Sequence, residues 1–186
     1  MVDWKKLGEE HNADKNRFYV VLSGDKAFKR DEYIVAVIGG NVVSTPAQDL
    51  FALVADKLLC KAKENYAEVR VIVGDNHGTD DIATTYAMHN DFDVYAYEAD
   101  WEGKGSKAGF ERNEQMFVHV GRREHKAAIL FWDGEDYVTR NLIYQAYNYC
   151  APVRVYNYKL KRLLTSQEVN DIQLDERQKQ MKYGKY

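Results

Sequence analysis

The chain has 186 residues, of which 45% are apolar and 30% charged, and its formal net charge is −3. This composition is typical of one globular domain with its own core, and the negative charge disfavours a general nucleic-acid-binding protein. No run of about 18 apolar residues predicts a membrane span, and the first residues lack the apolar segment of a signal peptide. We therefore expect a cytoplasmic location, or a host cytoplasm if the gene is viral.

Strand-like and helix-like segments alternate along the chain. Runs of β-branched and aromatic residues predict strands at 33–40, 68–74, 93–99, 126–134 and 152–158. Apolar residues at helical spacing predict helices at 45–66, at 79–90, from the glycine-rich stretch 103–109 to about Val120, and at 137–150. This alternation with short connections predicts the α/β class, as a Rossmann-like three-layer sandwich with a mainly parallel sheet of five or more strands.

Two flanking segments lie outside this pattern. We expect an N-terminal extension, a central domain and a polar C-terminal segment, at residues 1–30, 31–158 and 159–186. Within the extension, 18–24 is a candidate edge strand. In the C-terminal segment Thr165 and Glu168 make a candidate capping box, and the segment is either a docked helix or a frayed tail.

The cysteines and histidines predict no metal site. Cys60 and Cys150 are far apart and lie in apolar helical stretches, so we expect reduced thiols in the core. The five histidines form no ligand spacing. Trp132 is likewise expected in the core.

Glycine and small polar residues follow four of the predicted strands. Ligands of open α/β sheets bind beyond the carboxyl ends of the strands, where glycine admits backbone N–H groups and helix starts favour anions. These strand ends predict a crevice for a phosphate or a nucleotide. Its candidate residues are Gly39, Gly40, Asn41, Gly74, Asn76, Gly78, Thr79, Asp80, Asp133 and Gly134.

Simpler interpretations of these residues stay open. Gly39 and Gly40 also fit a tight turn, since no full G-x-G-x-x-G is present. Asp80 also fits a residue that complements a helix dipole, and Trp101 also fits a side chain that covers the core.

Arg112 lies in the first turn of a predicted helix, behind Gly105 and Gly109. An arginine directed into the crevice would hold a phosphate through two N–H groups. The alternative is a surface arginine that pairs with Glu111 or Glu114.

These motifs together resemble the SLOG superfamily and, within it, the YspA-like group. That group shows W-x(3)-G-x(2)-A-G-x(2)-R-N-x(2)-M, and the matching residues, with every spacing kept, are Trp101, Gly105, Ala108, Gly109, Arg112, Asn113 and Met116. Its G-x-D-x-x-A element matches Gly78, Asp80 and Ala83, and F-W-D-G matches residues 131–134, with Thr139 beyond. The resemblance covers roughly residues 33–158.

The resemblance implies a Rossmann-like domain that binds a nucleotide or a nucleotide-derived ligand such as ADP-ribose. Relatives include LOG-type phosphoribohydrolases, DprA-like DNA-binding proteins and sensors of NAD-derived signals. The YspA-like group is associated with nucleotide signalling and with defence or phage conflict. By the same resemblance we expect a homo-oligomer, a dimer or larger, with Trp101, Gly105, Ala108, Gly109, Arg112, Asn113 and Thr139 in the ligand site.

Three departures from the family pattern affect function. Asn41 stands where the group has arginine, so a cationic phosphate contact is missing. Asp136 and Val138 replace a serine and a glycine, which adds repulsion of phosphate and narrows backbone access. Leu142 occupies the position of the LOG-type catalytic glutamate, which favours binding over glycosidic hydrolysis.

Three functions follow as hypotheses. The first is a module that senses or sequesters a nucleotide-type ligand, without a required cofactor. The second is a nucleotide N-glycosidic hydrolase with Asp80 or Asp133 as acid or base and Arg112 on the phosphate. The third is a DprA-like nucleic-acid or protein-interaction module. It rests on seven Lys/Arg against four acids from Lys159 onward and on aromatics such as Tyr156 and Tyr158.

Overall fold

The computed structural model describes residues 19–21, 32–39, 45–66, 68–75, 78–121 and 124–183. Its strands are β1 (Tyr19–Val21), β2 (Glu32–Gly39), β3 (Glu68–Val73), β4 (Asp93–Ala96), β5 (His125–Trp132), β6 (Val153–Asn157) and β7 (Arg162–Leu163). Its helices are α1 (Thr45–Asn65), α2 (Thr79–His89), α3 (Trp101–Lys104), α4 (Ala108–Gly121), α5 (Tyr137–Asn148) and α6 (Ser166–Tyr183), and a 3₁₀ turn at Gly105–Lys107 joins α3 to α4. The predicted α/β class is confirmed.

The seven described strands lie in the order β1-β4-β3-β2-β5-β6-β7. Every neighbouring pair is parallel except β6 and β7, which are antiparallel. The chain builds outward from β2 to β3 and β4, then returns to place β5 on the other side of β2. The strand order therefore reverses between β2 and β5, the position at which α/β sheets of this kind hold ligands.

Buried side chains cover both faces of the sheet. One cluster contains Val71, Val73 and Phe131 with residues of α1 and α2. The other contains Ile72 and Leu130 with residues of α4, α5 and α6. Because successive strand residues point to opposite faces, this alternation places α1 and α2 on one side of the sheet and α4 and α5 on the other.

The C-terminal segment forms a helix that docks on α5. Thr165 and Glu168 make the predicted capping box, in which the Thr165 backbone N–H donates to Glu168 Oε2 at 2.7 Å and the Glu168 N–H donates to Thr165 Oγ1 at 3.3 Å. Further along, Gln173 donates to the Ile143 carbonyl at 3.0 Å, and the buried Glu176 accepts from Arg140 Nε at 3.1 Å. These contacts hold α6 against α5 although the helix has few apolar residues.

The structure corrects four local predictions. The stretch expected as a glycine loop is mostly helical from Trp101, because Asp100 caps α3 by accepting from the Gly103 N–H at 2.8 Å. Cys60 and Cys150 are exposed free thiols instead of core residues, since Cys60 follows the buried Leu59 and Cys150 lies in the turn after α5.

The other two corrections concern helix faces and ends. Helical spacing predicts that Leu142, Ile143, Ala146 and Tyr147 share the buried face of α5, but Tyr147 is 38% exposed and its hydroxyl accepts from Arg177 at the surface. Thr79 is by residue type the predicted N-cap of α2, but it is the first residue of that helix, and Gly78 is the cap. Trp132 is buried, as predicted. Within the described part of the chain, no helix is long and apolar enough to cross a membrane.

Candidate functional site

The predicted site residues gather at the carboxyl edge of the sheet, although three of them, Gly40, Asn41 and Asn76, lie outside the described residues. Gly39 ends β2 and pairs with Phe131 of β5, so it flanks the point where the strand order reverses. Gly74 follows β3, Asp133 follows β5, and α2, α4 and α5 all begin at this edge. The described site residues thus come from both sides of the crossover.

Arg112 and Asp80 meet over the end of β3 at Gly74. Arg112 comes from α4 on one face of the sheet and Asp80 from α2 on the other, and each is 1% exposed. A Cβ at Gly74 would lie 2.7 Å from Arg112 Nη1 and 2.7 Å from Asp80 Oδ2. Only a residue without a side chain leaves room for both charged groups here.

Asp75 is the direct ion-pair partner of Arg112. Its Oδ1 lies 2.5 Å from Arg112 Nη1, and its Oδ2 accepts from the Ala99 N–H at 3.0 Å. The Arg112 side chain is fully buried, so it pairs neither with Glu111 nor with Glu114 at the surface. Its Nε is also buried and has no hydrogen-bond partner among the described residues. Buried donors without a partner are rare. The Arg112 Nε–H can therefore still donate a hydrogen bond at the carboxyl edge of the sheet.

Asn113, the neighbour of Arg112, connects α4 to α5. Its Nδ2 donates to the Val138 carbonyl at 2.9 Å and to Asn141 Oδ1 at 3.2 Å, while its Oδ1 accepts from Arg112 Nη2 at 3.4 Å. Both asparagines are buried. The pair therefore fixes the arginine relative to the first turn of α5.

Trp101, Gly109 and Val138 pack together in the outer part of this edge. A Cβ at Gly109 would lie 3.1 Å from Trp101 Cη2 and 3.2 Å from Val138 Cγ1. Gly109 and the adjacent Ala108 are buried, whereas Trp101 is 45% exposed. The indole therefore covers the start of α4 with one edge and remains accessible on the other.

Acidic side chains accept hydrogen bonds from the backbone N–H groups of the loop after β5. Asp133 Oδ1 accepts from the Glu135 and Asp136 N–H groups at 2.7 and 2.8 Å. Asp136 Oδ2 accepts from the N–H of the buried Thr139 at 2.7 Å and so caps α5. Gly134 has a φ of 94°, which favours glycine. A loop whose donors are already bound by carboxylates offers little to a phosphate.

These hydrogen bonds also set the ionisation of Asp133. Burial raises the pKa of its carboxyl, but the Asp136 and Glu135 N–H groups and the nearby Lys159 outweigh that effect and lower the pKa below its usual value. Asp133 is thus held as a carboxylate and is poorly suited to donate a proton.

Tyr158 reaches the candidate site from the far side of the crossover. Its hydroxyl lies 3.0 Å from Thr79 Oγ1, next to Asp80 at the start of α2. Burial, opposed by the Thr79 hydrogen bond, raises the pKa of Tyr158 to about 12. Its ring and that of the buried Tyr156 pack against Phe131, so neither is presented for stacking on nucleic-acid bases.

A separate groove of about 310 Å³ runs along the outer side of α4 and α5. It is lined mainly by polar and aromatic side chains, among them Phe110, Glu114, Asn141, Tyr144 and Gln180. The groove is the main alternative location for a ligand.

Several residues of the site were not predicted from the sequence. Asp75, Asn141 and Tyr158 each contact a predicted residue that is 25 or more positions away along the chain. An acid directly after a buried strand was a usable signal for Asp75. No sequence signal identified Asn141 or Tyr158. Comparisons with protein-family models, with curated proteins and with solved structures each found no match to this chain.

Proposed function

We propose that this chain is a Rossmann-like domain that binds a nucleotide-derived small molecule at the carboxyl edge of its sheet, beside Arg112. The strand order supports this proposal, because it reverses between β2 and β5 where such folds bind nucleotides. The YspA-like motif from Trp101 to Met116 supports it independently, since this motif supplies the residues at that edge.

The observation that carries the proposal is the buried Arg112. Burying a guanidinium costs free energy that its partners only partly offset, and Arg112 retains a buried Nε without an acceptor among the described residues. Such buried, charged clusters in a ligand-binding position are typical of functional sites. Because Arg112 is 1% exposed, a ligand oxygen would supply the missing acceptor once the edge opens around Gly74.

The charges at this edge favour a ligand with few phosphates. Asp133 and Asp136 bind the backbone donors after β5, and Asp81 accepts from the Gly78 N–H at 3.2 Å. Because these carboxylates would repel a polyphosphate, a nucleoside monophosphate or an ADP-ribose-like molecule fits better than a triphosphate.

Calorimetric titration with AMP, ADP-ribose, cyclic ADP-ribose and ATP tests the proposal. We expect one of the first three to saturate at one site per chain and to bind more tightly than ATP. Arg112→Lys keeps the charge but loses the planar set of donors, and we expect it to weaken binding about tenfold or more. Arg70→Lys is the matched control, because Arg70 is also partly buried and ion-paired but lies early in β3, away from the site.

Two results would contradict the proposal: no saturable binding of any probe by the wild type, or equal loss of affinity in the two lysine variants. Melting temperatures of both variants separate weakened binding from loss of the fold.

Nucleotide N-glycosidic hydrolysis is the second candidate, and the buried Asp80 beside the Arg112 guanidinium favours it. Against it, Leu142 is buried in the core, so the position of the LOG-type glutamate does not face a ligand. Release of free adenine from AMP by the wild type and not by Asp80→Asn would support hydrolysis. Equal release by both proteins would remove Asp80 from the reaction.

We further propose that the chain forms a homo-oligomer through α6. Leu174, Met181 and Tyr183 are exposed on this helix by 48%, 77% and 74%. Light scattering should give a smaller assembly for Met181→Glu than for the wild type. A DprA-like nucleic-acid role has less support, since Arg162 and Lys179 already pair with carboxylates.

A further inference from the structure

Two large aromatic side chains are exposed at the carboxyl edge. Trp101, the first residue of α3, is 45% exposed, and Tyr137, the first residue of α5, is 72% exposed. Exposed aromatic rings that lie close together are typical of ligand-binding and interaction surfaces. The core does not require either exposed ring face.

Gly109 brings Trp101 next to the first turn of α5, which Tyr137 begins. Because Gly109 has no side chain, the Trp101 ring and Val138 approach the same point, at 3.1 and 3.2 Å from the position of a Cβ. Val138 directly follows Tyr137 in the first turn of α5. Trp101 and Tyr137 therefore both lie close to the place where α3, α4 and α5 meet.

The surroundings of this aromatic pair favour an uncharged partner over phosphate. Asp100 and Glu102 are exposed beside Trp101 in the sequence, and the N–H groups of Gly103 and Thr139 already donate to carboxylates. The nearby Lys104 and Lys159 pair with Glu111 and Glu135, so an anion would find few free donors here. An uncharged planar ring would instead find π faces for stacking and carboxylates that can accept from its amino group.

On the basis of the proposed function, we propose that Trp101 and Tyr137 bind the nucleobase of the ligand by stacking, which orients the base toward α5 and the sugar toward Gly74 and Arg112. This assigns a role to Tyr137, which the sequence motif does not contain. It also explains why Gly109 must lack a side chain, since a Cβ there would push Trp101 away from α5.

Calorimetry with adenosine, AMP and ribose 5-phosphate tests the assignment. We expect Tyr137→Ala to weaken adenosine and AMP binding about tenfold, Tyr137→Phe to bind like the wild type, and ribose 5-phosphate to bind all three proteins within about twofold. Trp101→Phe keeps a ring against Gly109 and should lose less affinity than Trp101→Ala. Tyr147→Ala is the matched control, since Tyr147 is also a partly exposed tyrosine of α5 but lies near the end of the helix opposite to Tyr137.

Each other outcome is decisive. Unchanged adenosine affinity in Tyr137→Ala overturns the stacking assignment, and so does an equal loss for ribose 5-phosphate, which would show a structural effect. Binding of ribose 5-phosphate without adenosine by the wild type overturns the assignment but leaves the proposed function intact. If the wild type binds none of these three probes and none of ADP-ribose, cyclic ADP-ribose and ATP, both the stacking assignment and the proposed function are overturned.

Discussion

The loops after β3 and after β5 lie on opposite sides of the crossover, with β2 between their strands, and they are built in opposite ways. After β5, Asp133 and Asp136 bind the backbone N–H groups that a phosphate would otherwise use. After β3, Asp75 binds a buried arginine whose Nε has no acceptor among the described residues. In the loop after β5, carboxylates bind the backbone N–H groups. Beside the loop after β3, the Arg112 Nε–H has no acceptor among the described residues.

This difference shows that a glycine-rich strand end does not by itself make an anion site. Both loops carry glycine and precede a helix, so both match the general pattern of phosphate-binding loops. What distinguishes them is where the nearest carboxylates direct their oxygens. We infer that ligand binding is concentrated on the side of Gly74 and Arg112.

Removing the arginine charge should have the largest effect on stability. Arg112→Met leaves Asp75 without its cation and replaces a fully buried guanidinium next to Asp80. Removing one partner of a buried ion pair typically costs about 3–5 kcal/mol, and because the Asp75 side chain is 23% exposed we expect the lower end of this range. Urea unfolding should show this loss in the free energy of unfolding. Arg162→Met, which removes an exposed arginine paired with Glu168, should change the midpoint far less. Equal midpoints for the two variants would show that Arg112 is not structurally engaged.

A methyl group at Gly74 should have the next largest effect. The Cβ of Gly74→Ala would lie 2.7 Å from both Arg112 Nη1 and Asp80 Oδ2, and overpacking of this kind costs about 1–3 kcal/mol. Gly105→Ala is the control. It places its methyl in open space at a φ of 54° and so reports backbone strain alone. If Gly74→Ala keeps full ligand affinity, the close approach of Arg112 and Asp80 over Gly74 is not needed for ligand binding.

Replacing Asp136, the N-cap of α5, should let the loop after β5 bind phosphate more readily. Asp136→Ser keeps a good N-cap residue but removes the carboxylate that binds the Thr139 N–H. We expect the free energy of unfolding to change by no more than about 0.5 kcal/mol and inorganic phosphate to bind more tightly. The rise of the melting temperature with phosphate concentration measures that gain. An unchanged phosphate response would show that this carboxylate does not block the loop.

Acid titration should give the smallest effect. The folded state lowers the pKa of Asp133. Its contribution to stability is therefore present above the unfolded pKa, near 4, and is lost as pH falls through the folded value. Asp133→Asn should accordingly lower the melting temperature at pH 7 more than at pH 2.5. The same decrease at both pH values would contradict the role given to the Asp133 carboxylate.

Much of the fold was predictable because it depends on local pattern. The β-branched runs identified the strands from Glu32 to Asn157, and helical spacing identified α1, α2 and α5. The carboxyl edge followed from the order of these elements. Local capping chemistry was also readable, as Thr165 and Glu168 show.

The site itself was less predictable because its partners meet only after folding. Arg112 was recognised as unusual, but its partner Asp75 is 37 residues away, and the position of Asp75 after a buried strand does not show that it pairs with Arg112. The helical structure of residues 101–107 was not predicted because glycine has a low helix propensity. There the Asp100 cap and the packing of Trp101 on Gly109 outweigh this preference.

Nuclear magnetic resonance of the ¹⁵N-labelled protein during titration with AMP tests the central claim most directly. We predict saturable shifts of the Arg112 Nε–H, of the Trp101 indole N–H and of amides near Asp75 and Tyr137, with little change along the groove at Glu114 and Gln180. Shifts confined to that groove, or an Arg112 Nε–H signal that does not respond at saturation, would contradict a ligand site beside Arg112.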